Sequence, residues 1–306
     1  MKSLTETIQS VPRLRPECVM CVIRKYANKY PESASNWEKV DFMQKVFNIM
    51  GNASKTTAIP VLTRDIDQLR YDMFGDKDEY GEIKYHFNEI MMHKIDDFRK
   101  DIRQAKNPLF YAMQLALAGN YIDFSAVANV NDEDLGKMLD AARDLNFDKD
   151  TFEKFRKDLE KGGSLVFFTD NCGEVVLDML LMEEIMKQYP EVRISAVVKG
   201  QEAVNDATME DAAQIGLDKL VRVVGNGSNI GGSWVPEMPE EVVDMIEKAD
   251  IIFSKGQANF ETFRHCKRNA YYLFLCKCDV FADQFQTDPF TGIFVHEADP
   301  RNDSPL

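Results

Sequence analysis

The sequence contains few cysteines and no long hydrophobic run. Six cysteines in 306 residues are too few for a disulfide scaffold and are typical of a protein with reduced thiols. No uncharged apolar stretch approaches the ~20 residues that span a bilayer, and the opening residues MKSLTETIQSVPRLRPE contain no apolar core of a signal peptide. We therefore expect a cytoplasmic protein that does not enter a membrane.

Basic residues are also scarce. Lys and Arg number 37 against 51 Asp and Glu, which gives a formal net charge of −14. Binding to nucleic acid or to an anionic membrane surface needs clustered Lys and Arg, so this charge argues against both partners. An acidic protein that handles an anionic substrate needs local positive charge, and a metal ion supplies it most compactly. The hydrophobic fraction of 44% is sufficient for a sizeable core.

The first third of the chain has the apolar periodicity of helices. From residue 18 to about residue 107, apolar residues recur at spacings of three and four. One such run comprises Trp37, Val40, Phe42, Met43, Val46, Phe47 and Met50. We predict an N-terminal helical region over residues 1–125 and a metal-binding catalytic α/β domain over residues 126–306.

After residue 161 the pattern changes to short apolar runs separated by helical segments. The runs are SLVFFTD, VRISAVVKG, KLVRVVG, ADIIFSKG and AYYLFLCKC. Strands that alternate with helices in this way form a mostly parallel sheet that is covered on both faces. The sequence therefore predicts a three-layer α/β/α sandwich of Rossmann-like type, in which ligands bind at the carboxyl ends of the strands.

Oxygen-bearing side chains follow the first two runs. Asp170 and Asn171 end the first run and Asp206 follows the second, in each case before a predicted helix. Each segment alone is equally consistent with an ordinary helix N-cap. Two carboxylates and an amide oxygen at neighbouring strand ends form a hard set of ligands that suits Mg²⁺ or Mn²⁺ better than Zn²⁺.

The fourth run leads into a loop with Lys255, Gly256, Asn259 and Glu261. A lysine and a glycine at the start of a helix can bind phosphate through the ammonium group and backbone N–H groups, although an isolated Lys-Gly pair is more often a surface turn. The glycine-rich loop over residues 226–232 either approaches a ligand or serves only the conformation of the chain. It contains neither a dinucleotide-binding nor a P-loop fingerprint.

Five segments together resemble the damage-control phosphatases, a metal-dependent family. They are FFTDNCGE, VKGQEAVNDAT, SKGQANFET, PLFYAMQLALAGNYIDFSA and PECVMCVIRK. The last is similar to the CxxC opening of the family's stand-alone microbial subgroup. Because the resemblance covers nearly the whole chain, we expect a metal-dependent phosphatase that hydrolyses phosphate monoesters of small metabolites, either sugar phosphates or damaged phosphometabolites.

The resemblance also implies roles for individual residues. Asp170, Asn171 and Asp206 match the metal ligands, with Mg²⁺ or Mn²⁺ preferred and Co²⁺ or Ni²⁺ as alternatives, and Lys255 matches a phosphate contact. Asn120 and Asp123, in AGNYID, match positions near the same pocket. The chain departs from the family's pattern in the glycine-rich loop, where Asn229 and Gly231 replace an acidic residue and a proline, which leaves substrate selection at that point open.

Several alternatives stay open at this stage. The attacking group is either water or Asp170, and Glu174 and Glu261 either orient water and substrate hydroxyls or lie on helix surfaces. An S-adenosylmethionine-dependent methyltransferase suits the architecture but lacks a glycine fingerprint, and a non-catalytic metal- or phosphometabolite-binding protein is a further alternative. Cys18 and Cys21 match half a zinc or redox site, but no second CxxC is present, so we expect structural thiols.

Overall fold

The computed structural model describes residues 2–75, 80–120 and 145–302. The helices before the sheet are α1 (Leu4–Gln9), α2 (Pro16–Tyr26), α3 (Asn36–Asn52), α4 (Ile59–Phe74), α5 (Gly81–His93), α6 (Ile95–Gln104), α7 (Pro108–Gly119) and α8 (Lys149–Leu159). The α/β part contains β1 (Gly163–Phe168), α9 (Glu174–Gln188), β2 (Val192–Val198), α10 (Met209–Ile215), α11 (Leu217–Leu220), β3 (Arg222–Gly225), α12 (Glu240–Glu247), β4 (Ile251–Lys255), α13 (Gln257–Phe263), β5 (Ala270–Leu275), α14 (Asp279–Phe285) and β6 (Gly292–His296).

The strands form one sheet in the order β3-β2-β1-β4-β5-β6. Strands β1 to β5 pair in parallel, and β6 is antiparallel to β5. The predicted mostly parallel sheet is therefore confirmed, with the five apolar runs as β1 to β5. The strand order reverses between β1 and β4, and a reversal of this kind opens a crevice for ligands at the carboxyl ends of the strands.

Helices cover both faces of the sheet, as predicted for three layers. Leu165 and Phe167 of β1 belong to the core that also contains residues of α5 to α10. Val166 and Phe168, which point to the opposite face, belong to a second core with α1, Val61 of α4, and α12 to α14. A strand that is buried on both faces is apolar at every position, because alternate side chains enter different cores.

Helices α2 to α7, which precede the sheet, divide into two groups by their main packing. Helices α2 to α4 surround a small core of their own, made of Val22, Tyr26, Phe42, Val46, Met50, Leu62 and Ile66. Helices α5 to α7 instead share the core on one face of the sheet. The predicted boundary at residues 125 and 126 lies outside the described residues and stays a prediction. None of the described helices is long and apolar enough to cross a membrane.

Candidate functional site

The loops that follow β1 and β2 are bonded to each other at the carboxyl edge of the sheet. The backbone N–H of Ala207 donates to the carbonyl of Asp170 at 2.8 Å, and Asn171 forms an isolated antiparallel bridge with Asp206. All three predicted metal ligands are buried, each with an exposed fraction of 6–7%. The backbone contacts between the loops thus bring Asp170, Asn171 and Asp206 to one place.

Two amide groups fix the carboxylate of Asp170. Oδ2 accepts hydrogen bonds from Nδ2 of Asn120 at 2.9 Å and from Nδ2 of Asn171 at 2.8 Å. Gly256 packs against the same carboxylate with a φ of +81°, and a Cβ at this position would overlap the Asp170 oxygens. Gly256 is therefore required for close packing as well as for its left-handed backbone conformation.

A cluster of buried charges lies behind Asp170. The ammonium group of Lys255 contacts Glu174 Oε1 at 2.6 Å, Asp178 Oδ1 at 2.5 Å and the carbonyl of Ala116 at 2.9 Å. Burial opposes ionisation of Glu174, but Lys255 and the neighbouring amides lower its pKa. Burial raises the pKa of Asp178 to about 7 despite Lys255. Glu174 in turn accepts hydrogen bonds from both amides that hold Asp170.

Asp170 and Asp206 both have raised pKa values, and burial is the main cause in each case. Burial, reinforced by Glu174 and Asp206, raises the pKa of Asp170 to about 8. Burial also raises the pKa of Asp206, although Lys199 opposes this shift. Lys199 Nζ lies 3.1 Å from Asp206 Oδ2, yet that buried oxygen accepts no hydrogen bond of good geometry from the described part of the chain.

A cavity of about 300 Å³ opens onto these side chains. Its walls come from the sheet loops and helix α13 on one side and from helices α2 and α4 on the other. The lining residues are Lys25, Ile59, Pro60, Thr63, Asp170, Asn171, Asp206, Gly231, Gln257, Ala258, Glu261 and Lys277. Of the residues that the sequence indicated, Asp170, Asn171, Asp206, Glu261 and, in the glycine-rich loop, Gly231 therefore line a common space.

The Lys255 side chain, to which the sequence analysis assigned a phosphate contact, does not line the cavity. Lys255 is fully buried, and Glu174, Asp178 and Ala116 account for the three N–H donors of its ammonium group. The side chain is instead connected with Asp170 through Glu174, which contacts Lys255 and accepts hydrogen bonds from the two amides that hold Asp170. The sequence could not reveal this, because both carboxylates reach Lys255 from helix α9.

Other residues assigned to substrate binding also lie behind the cavity. Asn259 is fully buried, and its amide bridges the carbonyls of Thr169 and Lys255 and accepts from Ser233 Oγ. Asn120 and Glu174 orient Asp170 as described above, and Gly256 packs against it; none of the three lines the cavity. The predicted position Asp123 lies outside the described residues.

The donor set fits a hard divalent cation. Among the described residues, no group of three His, Cys, Asp or Glu side chains has metal-binding geometry, so a site here requires the amide of Asn171 beside Asp170 and Asp206. Nδ2 of Asn171 donates to Asp170 and Glu174. The amide oxygen Oδ1 therefore points away from these two carboxylates. Two carboxylates and an amide oxygen are ligands that Mg²⁺ or Mn²⁺ accepts.

Two lysines in the cavity were missed by the sequence analysis. Lys277 lies two residues beyond the end of β5, and its charge lowers the pKa of Asp170 against the dominant effect of burial. The rule applied to the first four runs, that functional residues follow the ends of strands, would have identified Lys277 in AYYLFLCKC. Lys25 lies on α2 among other charged residues, where no local pattern distinguishes it.

The fold and the site define an α/β protein with an acidic, oxygen-rich site at the carboxyl edge of a mostly parallel sheet. The family model described as "Damage-control phosphatase ARMT1-like domain" matches residues 14–289. The chain therefore belongs to the damage-control phosphatase ARMT1-like family, as its sequence motifs indicated. Assignment to the subgroup with an N-terminal CxxC stays a prediction.

Archaeal proteins are similar to the chain over most of its length. Damage-control phosphatase PH1575 of Pyrococcus horikoshii is 28% identical over 282 residues, covering 90% of this chain and 94% of the relative. A damage-control phosphatase of Archaeoglobus fulgidus is 29% identical over 215 residues, 69% of this chain and 73% of the relative. The uncharacterized protein MJ0202 of Methanocaldococcus jannaschii is 28% identical over 287 residues, covering 90% of this chain and 93% of the relative.

A solved structure shares the fold. The crystal structure of a DUF89 family protein from Pyrococcus horikoshii superimposes with a TM-score of 0.76 at 24% sequence identity, covering 93% of this chain and 99% of the other. This similarity supports the α/β architecture described above.

Proposed function

We propose that this protein is a metal-dependent phosphatase that hydrolyses phosphate monoesters of small metabolites to an alcohol and inorganic phosphate. The observation that carries the proposal is the meeting of Asp170, Asn171 and Asp206 in one cavity, held by hydrogen bonds between the loops after β1 and β2. Family membership supports phosphatase activity of this general kind.

The chain's own residues account for binding of an anionic substrate in an acidic protein. Asp170, Asn171 and Asp206 would hold one divalent cation, and that cation would supply the positive charge that stabilises a phosphoryl group in the transition state. Lys277 and Lys25 line the same cavity and would attract the phosphate and the rest of the ligand. Glu261, whose pKa burial raises, lines the cavity and would contact a substrate hydroxyl.

The cavity favours a small substrate. Its volume of about 300 Å³ lies at the lower end of the range of roughly 300–1,000 Å³ for ligand pockets. Charged and polar side chains dominate its lining, and Ile59 and Pro60 supply a limited apolar surface. These properties suit a compact polar phosphate ester such as a sugar phosphate. The oxygen donors favour Mg²⁺ or Mn²⁺, with Co²⁺ and Ni²⁺ to be compared with them.

The test combines metal binding with turnover. Purified metal-free protein is titrated with Mn²⁺, and phosphate release is measured from an aryl phosphate and from a panel of sugar phosphates. Asp170→Asn and Asp206→Ala should each remove metal-stimulated hydrolysis while circular dichroism shows an intact fold. Wild-type rates in either variant would rule out the proposed site.

The same measurements separate the other candidate functions. Metal binding without turnover on a broad panel would indicate a non-catalytic binding protein. Binding of S-adenosylmethionine in a calorimetric titration would indicate a methyltransferase, which neither the family nor the lining of the cavity favours. Acid quenching during turnover distinguishes the two routes of attack, since only attack by Asp170 leaves a phosphorylated protein.

A further inference from the structure

Helix α5 contacts the loop that carries Asp206 through a buried lysine. Lys84 is 1% exposed, and its ammonium group lies 2.8 Å from Glu202 Oε2 and 2.9 Å from Asp211 Oδ2. Glu202 precedes Asp206 in the chain and Asp211 follows it. A single ammonium group therefore joins the two ends of the segment that presents Asp206.

Asp211 transmits this contact to the start of helix α10. Its Oδ2 also accepts hydrogen bonds from the backbone N–H and the hydroxyl of Thr208 at 2.9 and 2.7 Å, forming a capping box. Thr208 is two residues beyond Asp206. Removal of the Lys84 charge would leave a buried carboxylate without its cation next to this cap, which is a costly arrangement.

One turn along α5, Asn88 contacts the loop after β1 and helix α10, which follows the loop that carries Asp206. Its Oδ1 accepts from the backbone N–H of Gly173 at 2.7 Å, in the loop that carries Asp170 and Asn171. Its Nδ2 donates to Gln214 Oε1 of α10 at 2.8 Å. Asn88 is fully buried, and neither it nor Lys84 lines the cavity.

We propose that Lys84 and Asn88 are positioning residues. They keep the loop after β1, which carries Asp170, aligned with the loop after β2, which carries Asp206, so that both carboxylates bind one cation. The proposal rests on the proposed function for the identity of the ligand, but not for the contact between the loops. Groups that orient metal ligands from behind typically change metal affinity by roughly 10–100-fold when they are removed.

The first measurement needs no metal. Two backbone hydrogen bonds join the loops: the N–H of Ala207 donates to the carbonyl of Asp170, and the N–H of Cys172 donates to the carbonyl of Asn205. Neither N–H group bonds to Lys84 or Asn88. Their hydrogen exchange in the metal-free protein therefore reports on the register of the loops. Lys84→Met and Asn88→Ala should each accelerate exchange at these two amides by at least about tenfold, since a lost buried contact favours local opening.

Arg99→Met serves as the matched control. Arg99 of α6 forms a bidentate ion pair with Glu183 of α9 at 2.6 and 2.9 Å, so it also joins a helix before the sheet to a helix after β1, but away from the site. This variant should leave exchange at Ala207 and Cys172 and the affinity for Mn²⁺ within about twofold of wild type. Lys84→Met and Asn88→Ala should weaken Mn²⁺ binding by roughly 10–100-fold.

The outcomes distinguish this proposal from the proposed function. Unchanged exchange at Ala207 and Cys172 in both variants would overturn the positioning role, as would acceleration spread evenly over the whole chain, β5 included. If Lys84→Met fails to fold, Asn88→Ala, which leaves the buried ion pairs intact, decides the question. Wild-type protein that binds no Mn²⁺ would refute the metal site, whereas the exchange results would still decide the contact between the loops.

Discussion

The two groups of helices before the sheet differ in how they are attached and in what they give to the site. Helices α2 to α4 have their own small core and contribute the cavity residues Lys25, Ile59, Pro60 and Thr63. Helices α5 to α7 are part of the core on one face of the sheet. They contribute no lining residue and instead place Lys84, Asn88 and Asn120 behind the acidic site.

This difference separates substrate selection from organisation of the site. Helices α2 to α4 pack mainly in a core of their own. Substitutions of their cavity-lining side chains should therefore leave the carboxylates of the site in place. Helices that share the core of the sheet have no such freedom, because their packing and the placement of Asp170 depend on the same contacts. We therefore expect changes at the cavity-lining residues of α2 and α4 to alter substrate binding, and changes at the residues that α5 and α7 place behind the site to alter turnover and metal binding.

The largest expected effect comes from emptying the small core. Phe42→Ala removes a fully buried ring whose centroid lies 5.6 Å from that of the Phe74 ring. The substitution should cost about 3–5 kcal/mol of local stability. Hydrogen exchange should accelerate in α2 to α4 and stay unchanged in β1 and β5. Met113→Ala in α7, also fully buried, is the comparison and should accelerate exchange in the sheet. Equal effects of the two variants on the sheet would contradict the division into two groups.

An intermediate effect is expected at Asn120, the residue that directly follows α7. Asn120→Ala removes a donor to Asp170 Oδ2 and to Glu174, and an acceptor for the backbone N–H of Leu275. Loss of such an orienting contact should lower kcat by roughly 10–100-fold, with a smaller change in KM because Asn120 does not line the cavity. Thr63→Ala, on the cavity wall, is the control and should keep kcat. A normal kcat in Asn120→Ala would show that Asp170 keeps its orientation without this amide.

Much of the fold could be predicted because parallel strands leave a simple pattern. Strands β1 to β5 are buried on both faces and appear as continuous apolar runs. Strand β6 was missed, since the five residues Gly292–His296 form an antiparallel edge strand within a polar tail. Periodicity indicated α3, but it could not show which side faces inward: Phe42 is buried, whereas Trp37 is 84% exposed.

The candidate site was predictable only as far as strand ends determine it. Asp170, Asn171 and Asp206 face one cavity because carboxyl ends of neighbouring parallel strands meet at one edge of the sheet. Their role as metal ligands stays a prediction. The local sequence does not show whether a side chain is buried. Lys255 and Asn259 were therefore predicted to contact a ligand, although Lys255 pairs with carboxylates of α9 and Asn259 bonds to Ser233 in the loop after β3. Lys84 and Asn88 act from a different part of the chain and gave no local signal.

The smallest expected effect is at Lys25, the charged residue of the wall. Lys25→Met keeps most of the side chain and removes the charge, so KM for a phosphate ester should rise by about three- to tenfold, equivalent to roughly 0.6–1.4 kcal/mol, while kcat and Mn²⁺ affinity stay near wild type. Lys29→Met is the control, because Lys29 pairs with Asp67 of α4 at 3.4 Å and is not among the lining residues. A fall in kcat without a change in KM would place Lys25 with the residues that organise the site and remove the functional distinction between the two groups of helices.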